Sequence, residues 1–127
     1  MNNLTEIAIK EYIASNKLAF NSTHNKLSLC IINRIYKKMK NGIKFEAIKI
    51  NGNSIIDGHH RYISSKLAEI DVVFIDYPKT SATIECAWKD VQFLNEEWDT
   101  LVKIQYLNEI DAKYNNIPLE KLMEITK

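Results

Sequence analysis

Glycine, proline and cysteine are scarce in this chain, with three, two and two residues among 127. So little glycine and proline excludes collagen-like and low-complexity architectures. Cys30 and Cys86 stand far apart, which excludes a metal knuckle or a redox pair. Each lies in an apolar run, Leu29-Cys30-Ile31-Ile32 or Ile84-Glu85-Cys86-Ala87-Trp88, and is expected as a reduced core thiol. No apolar run approaches the ~20 residues that span a bilayer. The start, Met1-Asn2-Asn3-Leu4-Thr5-Glu6, lacks the basic residues and continuous apolar block of a signal peptide. A soluble cytoplasmic protein is the expectation, with a secreted effector delivered by a longer parent chain as the alternative. An excess of one charge is lacking too: the net charge is +1 and the pI about 7.7, which argues against a non-specific DNA coat protein.

What is present is the material of one ordinary domain, 46% hydrophobic and 26% charged. The near-neutral total hides an asymmetry. Residues 1–70 carry 11 Lys+Arg against 5 Asp+Glu, a net +6, and residues 71–127 carry 6 against 11, a net −5. The basic half reads either as a field for an anionic ligand or as a solvated helix face, Arg34-Ile35-Tyr36-Lys37-Lys38-Met39-Lys40.

Apolar periodicity predicts a helix over Leu4 to Ser15, through Ile7, Ile9, Tyr12 and Ile13. A second runs from Leu27 to Lys40, capped by Asn25, buries Leu29, Ile32, Ile35, Tyr36 and Met39, and stops at Asn41-Gly42. Phe45 to Ile50 alternates as a strand, Asn51-Gly52 turns a hairpin, and Ser54 to Asp57 returns. A helix follows from His59 to Ile70, then a strand at the centre of the sheet, Val72-Val73-Phe74-Ile75-Asp76. Ala82 to Phe93 holds one or two strands around Trp88. Asp99 to Tyr114 is a helix with Leu101, Ile104, Leu107 and Ile110 inward, and Pro118 opens a short terminal helix. The fold class is mixed α+β, a small sheet with a β-hairpin and flanking helices, and 1–127 forms a single domain.

Two of the three histidines sit together in Asp57-Gly58-His59-His60-Arg61, directly after Ser54-Ile55-Ile56. A strand, a glycine turn and a polar helix start make an anion pocket, because bare N–H groups and the helix dipole favour phosphate there. Arg61 in the first helical turn opposes that dipole unless an anion lies beside it or it folds back onto Asp57. Asp57 reads as the helix N-cap or as a group that orients a histidine or holds a divalent ion. Consecutive histidines diverge by ~100° on a helix, so a shared metal ion is not expected, and His24 adds to them only if its loop folds back. Either histidine suits proton transfer near neutral pH, or else packs as a neutral ring.

The stretch Leu27 to Ile75, a helix ending in Lys40-Asn41-Gly42, the hairpin and Ile55-Ile56-Asp57-Gly58-His59-His60-Arg61-Tyr62, resembles the ParB/sulfiredoxin superfamily. Its members share a Gly-x-x-Arg turn that binds nucleotide phosphates, and a ParB-like, nuclease-type set found among bacterial toxin domains carries Asp-Gly-His-His-Arg. The resemblance implies a ParB/sulfiredoxin-like core over 20–76 and an acidic, partly helical extension over 77–127. His59 stands where sulfiredoxins have their reactive cysteine, which argues against sulfinic-acid repair. Partition proteins carry an upstream Gln/Arg-rich segment and a downstream helix-turn-helix that this chain lacks.

Three functions follow as expectations. The first is a nuclease or nucleotide hydrolase, with His59, His60 and Asp57 catalytic, and Gly58, Arg61, Ser64 and Lys26 holding phosphate. Its cofactor would be a nucleotide, ATP or CTP, with Mg2+, and no metal held by the protein alone. The second is a non-catalytic nucleotide-binding module. The third is an immunity or toxin-partner protein that offers the acidic region from Asp90 to Glu124 to a basic target.

Overall fold

The computed structural model describes residues 3–127 and has an α+β fold. Helix α1 (Glu6–Ser15) is capped by Thr5, whose hydroxyl accepts from the Ala8 N–H at 3.1 Å. Ile9 is its only fully buried residue and Ile7 faces outward, so α1 lies across the surface by a narrow stripe. Strand β1 (Lys26–Ser28) occupies what the periodicity assigned to the start of the second helix. Helix α2 (Leu29–Lys40) starts later because Ser28, not Asn25, is its cap, accepting from the Ile31 N–H at 3.2 Å. It buries Leu29, Ile32 and Met39, while Ile35 and Tyr36 are only half-buried.

Strands β2 (Ile48–Asn51) and β3 (Ser54–Asp57) form the hairpin, with Asn51 paired to Ser54. The two turn residues are therefore Gly52 and Asn53, one step later than the sequence suggests, with Gly52 at φ +58°. Helix α3 (His59–Ala68) carries the chain back to β4 (Phe74–Asp76), which pairs parallel to β2. The strand order is β3-β2-β4. Thus β4 lies at the edge, not the centre, leaving Val73 69% and Ile75 46% exposed. Its continuous apolar run mimics a buried strand, but no partner covers its outer side.

After a 3-10 turn (Trp88–Asp90), β5 (Gln92–Leu94) pairs parallel with β1 in a separate two-stranded sheet. Leu27, Ile32, Ile48, Ile55, Tyr62, Ile63, Trp88, Val91 and Phe93 share one core. Tyr62 is its centre, stacked on Trp88 at 5.9 Å and met edge-on by Phe20 at 5.9 Å. The segment beyond residue 77 therefore contributes core residues up to Phe93. Cys30 and Cys86 are free and half-buried rather than enclosed in the core.

Helices α4 (Leu101–Tyr114) and α5 (Leu119–Ile125) close the fold on a second, smaller core of Ile43, Ala112 and Leu122. The expected inward face of α4 is not buried: Leu101 is 85% exposed and Ile110 also lies open, while Asn108 and Ala112 face in. Helix α4 is tied to α2 by the Lys38–Asp111 ion pair, and its apolar stripe borders a cleft instead of a core. Among the described residues, no helix is long and apolar enough to cross a membrane.

Candidate functional site

The turn at residues 57–61 forms because β3 must hand over to α3 within one residue. Gly58 makes that turn at φ +100°, a backbone conformation that side-chain-bearing residues avoid. Gly58 itself occupies the cap position and no side chain caps α3, so Asp57 is not the N-cap. The missing Cβ has a second consequence. A Cβ at Gly58 would lie 2.7 Å from Arg61 Nη2 and 3.2 Å from both Arg61 Nε and Ile48 Cγ1. Arg61 therefore folds its guanidinium over the glycine, at the positive end of α3. Its ion pair with Asp57 is loose, 3.7 Å, and the Asp57 side chain is 65% exposed.

Both histidines of the turn pack inward toward the 20–28 segment. His59 Nε2 accepts the Thr23 N–H at 3.0 Å, and the Thr23 hydroxyl beside it donates to the Ile55 carbonyl at 2.7 Å. His60 Nε2 accepts the Ser28 N–H at 3.0 Å. A backbone N–H cannot accept, so each Nε2 is unprotonated and each neutral ring carries its proton on Nδ1. Burial pushes His59 down to about 3, helped by the neighbouring His24 and His60. Burial, then His24 and Arg34, push His60 down to about 4 against an opposing pull from Asp99. The loop holding His24 does fold back: its ring stacks on His59 at 3.9 Å and 12°. All three histidines thus meet on one wall, yet the described residues contain no group of three or more His, Cys, Asp or Glu able to hold a metal ion.

That wall opens on a cleft of about 470 Å³ between the turn, α2 and α4. Gly58, His59, His60 and Arg61 form one part of its lining, and Ile31, Ile35, Phe45, Ile104, Leu107 and Tyr114 form its apolar sides. Neither histidine Nδ1 has a protein partner, yet Asn108 Oδ1 is the one buried, unpaired side-chain nitrogen or oxygen among the described residues. The Nδ1–H groups are therefore open to solvent or to a ligand in the cleft.

Arg34 and Lys38 also line this cleft, and both are committed. Arg34 pairs with Glu97 and with Asp99 at 3.1 Å, and the buried Lys38 pairs with Asp111 at 2.7 Å. Two cations of α2 and three acids of the C-terminal region, Glu97, Asp99 and Asp111, thus neutralise each other within the chain. Arg61 is the cleft cation with the weakest protein partner, so attraction for an anion is local to the turn rather than a broad field.

Two expected phosphate ligands lie elsewhere. Ser64 is fully buried and donates to the Ile32 carbonyl at 3.1 Å, where it joins α3 to α2. Lys26 is exposed at the start of β1 and does not line the cleft. Conversely, Asn108, Asp99 and Asp111 reach the cleft unheralded in the sequence. Arg34 and Lys38 belong to the basic run of α2 noted in the sequence, and their four-residue spacing puts them on one helix face. Compared with protein-family models, curated proteins and solved structures, the chain matches none of them.

Proposed function

We propose that this protein is a nucleotide-binding domain that seats a phosphate at the Gly58–Arg61 turn. The observation that carries this reading is the Arg61 guanidinium folded over Gly58 at the start of α3. A phosphate there meets the Arg61 fork, the unpaired N–H groups of the first helical turn and two Nδ1–H donors. An anion also removes the conflict between Arg61 and the helix dipole. The cleft volume of about 470 Å³ suits a mononucleotide or one unstacked nucleotide of a strand, and a concave site does not enter a duplex groove. The resemblance of residues 27–75 to nucleotide-binding ParB/sulfiredoxin domains supports the same ligand class.

Binding is favoured over histidine-driven hydrolysis. A general base needs a free lone pair, and the lone pairs of His59 and His60 are held by the amides of Thr23 and Ser28. Of the two exposed carboxylates that line the cleft, Glu46 and Asp57, Asp57 is the one in the turn. It suits a Mg2+ ion that arrives on nucleotide phosphates, since such ions need only one or two protein carboxylates. The same exposure favours hydrolysis as a second reading, with Asp57 rather than a histidine as the proton acceptor.

A melting-shift panel of ATP, CTP, GTP, UTP and pyrophosphate, each with Mg2+, tests the proposal. Saturating ligand at ~100 times Kd stabilises the wild type by about 2.7 kcal/mol. Arg61→Ala removes most of that gain. No shift from any of these ligands on the wild type overturns the reading. Turnover by the wild type that is lost in Asp57→Asn selects the hydrolytic version.

A further inference from the structure

Helix α4 turns a row of large apolar side chains to solvent. Val102, Tyr106, Ile110 and Tyr114 recur at every fourth residue and all are exposed, Val102 by 80% and Tyr106 by 59%. Residues spaced by four share one side of a helix, and this side points away from the buried Asn108 and Ala112. Trp98, four residues before Val102 and just outside the helix, is exposed too. Contiguous apolar surface rich in tyrosine and tryptophan marks a contact surface. The half-exposed rings of Trp98, Tyr106 and Tyr114 offer on the order of 300 Å² between them. With Val102 and Ile110 the face approaches the roughly 600 Å² per partner of a weak, reversible interface. Lys103 and Glu109 flank the row on opposite sides, three residues before and three after Tyr106. Both are exposed and held only by their own segment of chain: Lys103 pairs with Asp99 at 3.1 Å, and Glu109 accepts from Gln105 at 3.3 Å.

We propose that this face of α4 is the contact surface for a second copy of the chain, in an antiparallel pair whose two-fold axis passes by Tyr106. Residues equally far before and after Tyr106 face each other across such an axis, and each contact is made twice. Val102 then meets Ile110 of the partner subunit, and Lys103 meets Glu109 of the partner subunit. The face is thus complementary to itself in both apolar character and charge. A parallel pair would set Lys103 against its own copy and Glu109 likewise, which like charges oppose. A partner of one charge sign would satisfy one flank of the row and oppose the other. Helices that lie on membranes carry a Lys/Arg-rich polar face, whereas this one mixes acids with lysines in the acidic half of the chain. Ile110 and Tyr114 also line the cleft, so pairing braces one of its walls. The pairing does not depend on a phosphate at the Gly58–Arg61 turn.

Sedimentation velocity over ~5–500 μM follows monomer and dimer, and the wild type is expected to pair reversibly with a Kd on the order of 50 μM. Tyr106→Glu, at an exposed position that leaves the thermal midpoint close to wild type, weakens pairing about tenfold or more. Lys103→Glu and Glu109→Lys each set like charges together twice and weaken it by about tenfold. An equimolar mixture of these two variants regains both attractions and associates as tightly as the wild type. Loss in each single variant with recovery in the mixture identifies the antiparallel contact. A wild type that stays monomeric throughout, a dimer indifferent to Tyr106→Glu, or charge variants that pair like the wild type overturn the proposal. Monomers that bind phosphatidylcholine–phosphatidylserine vesicles, with a tryptophan emission shift lost in Tyr106→Glu, overturn it in favour of a membrane contact.

Discussion

Lowering the pH should destabilise this fold well before its carboxylates are protonated. His59 and His60 stand at about 3 and about 4 in the folded protein and at about 6.5 when unfolded. Between those values the unfolded chain binds more protons than the folded one, so stability falls as pH falls. The contribution is fully present above about pH 6.5 and is lost on the way down to about 4 for His60 and about 3 for His59. At pH 5, about 1.5 units below the unfolded value, each histidine has lost about 2 kcal/mol of its contribution. The pair together removes about 4 kcal/mol, a large part of the 5–15 kcal/mol typical of a domain. The physical cause is burial of the two rings, which disfavours the charged form, and the hydrogen bonds from Thr23 and Ser28, which a doubly protonated ring cannot accept, act in the same direction. Urea unfolding at pH 7, 6 and 5 measures the slope. His59→Gln/His60→Gln keeps an acceptor near each Nε2 but does not titrate, so its stability should be nearly flat over that range. A wild type equally stable at pH 7 and pH 5, or a double variant with the same slope, would refute the neutral, amide-bound assignment.

Gly58→Ala should lower stability by about 2 kcal/mol, from positive-φ strain, plus pressure on Ile48 Cγ1 at 3.2 Å. A thermal midpoint within a degree of wild type would contradict the required left-handed turn. The same variant displaces the Arg61 guanidinium, so pyrophosphate affinity should fall along with stability, a loss that calorimetry reads directly. Lys38→Met leaves Asp111 without its cation and should cost about 3 kcal/mol, whereas Lys38→Met/Asp111→Leu should recover most of it. Chemical denaturation of the single and double variants checks this, and additive losses would mean that the pair is not coupled.

Much of the secondary structure is legible in the chain because it rests on local physics. Glycine after a lysine-rich last turn ends α2, Pro118 opens α5, and an apolar segment before Gly58 makes β3. The glycine turn with Arg61 is legible for the same reason, since backbone freedom and dipole geometry belong to neighbouring residues. Boundaries slipped where a tertiary partner intervened. Leu27 continues the periodicity of α2, yet it pairs with Phe93 because β5 supplies a strand 66 residues later. Val73 reads as a core residue, but no strand lies beyond β4.

The amino-acid sequence by itself determined an α+β domain whose one unusual stretch is a strand, a glycine and a helix that begins with two histidines and an arginine. Tertiary structure decided what those side chains can do. Backbone amides of Thr23 and Ser28 hold both histidines neutral, and Gly58 makes room for Arg61 above the helix start. Glu97, Asp99 and Asp111 of the C-terminal region pair with Arg34 and Lys38, and α4 brings Asn108 to the cleft. Every one of these contacts except the Gly58–Arg61 approach joins residues more than thirty apart in the chain or is set by helix docking. Local periodicity carries no information about such pairs, because which lone pair is filled and which charge is neutralised depends on the neighbour that folding brings alongside.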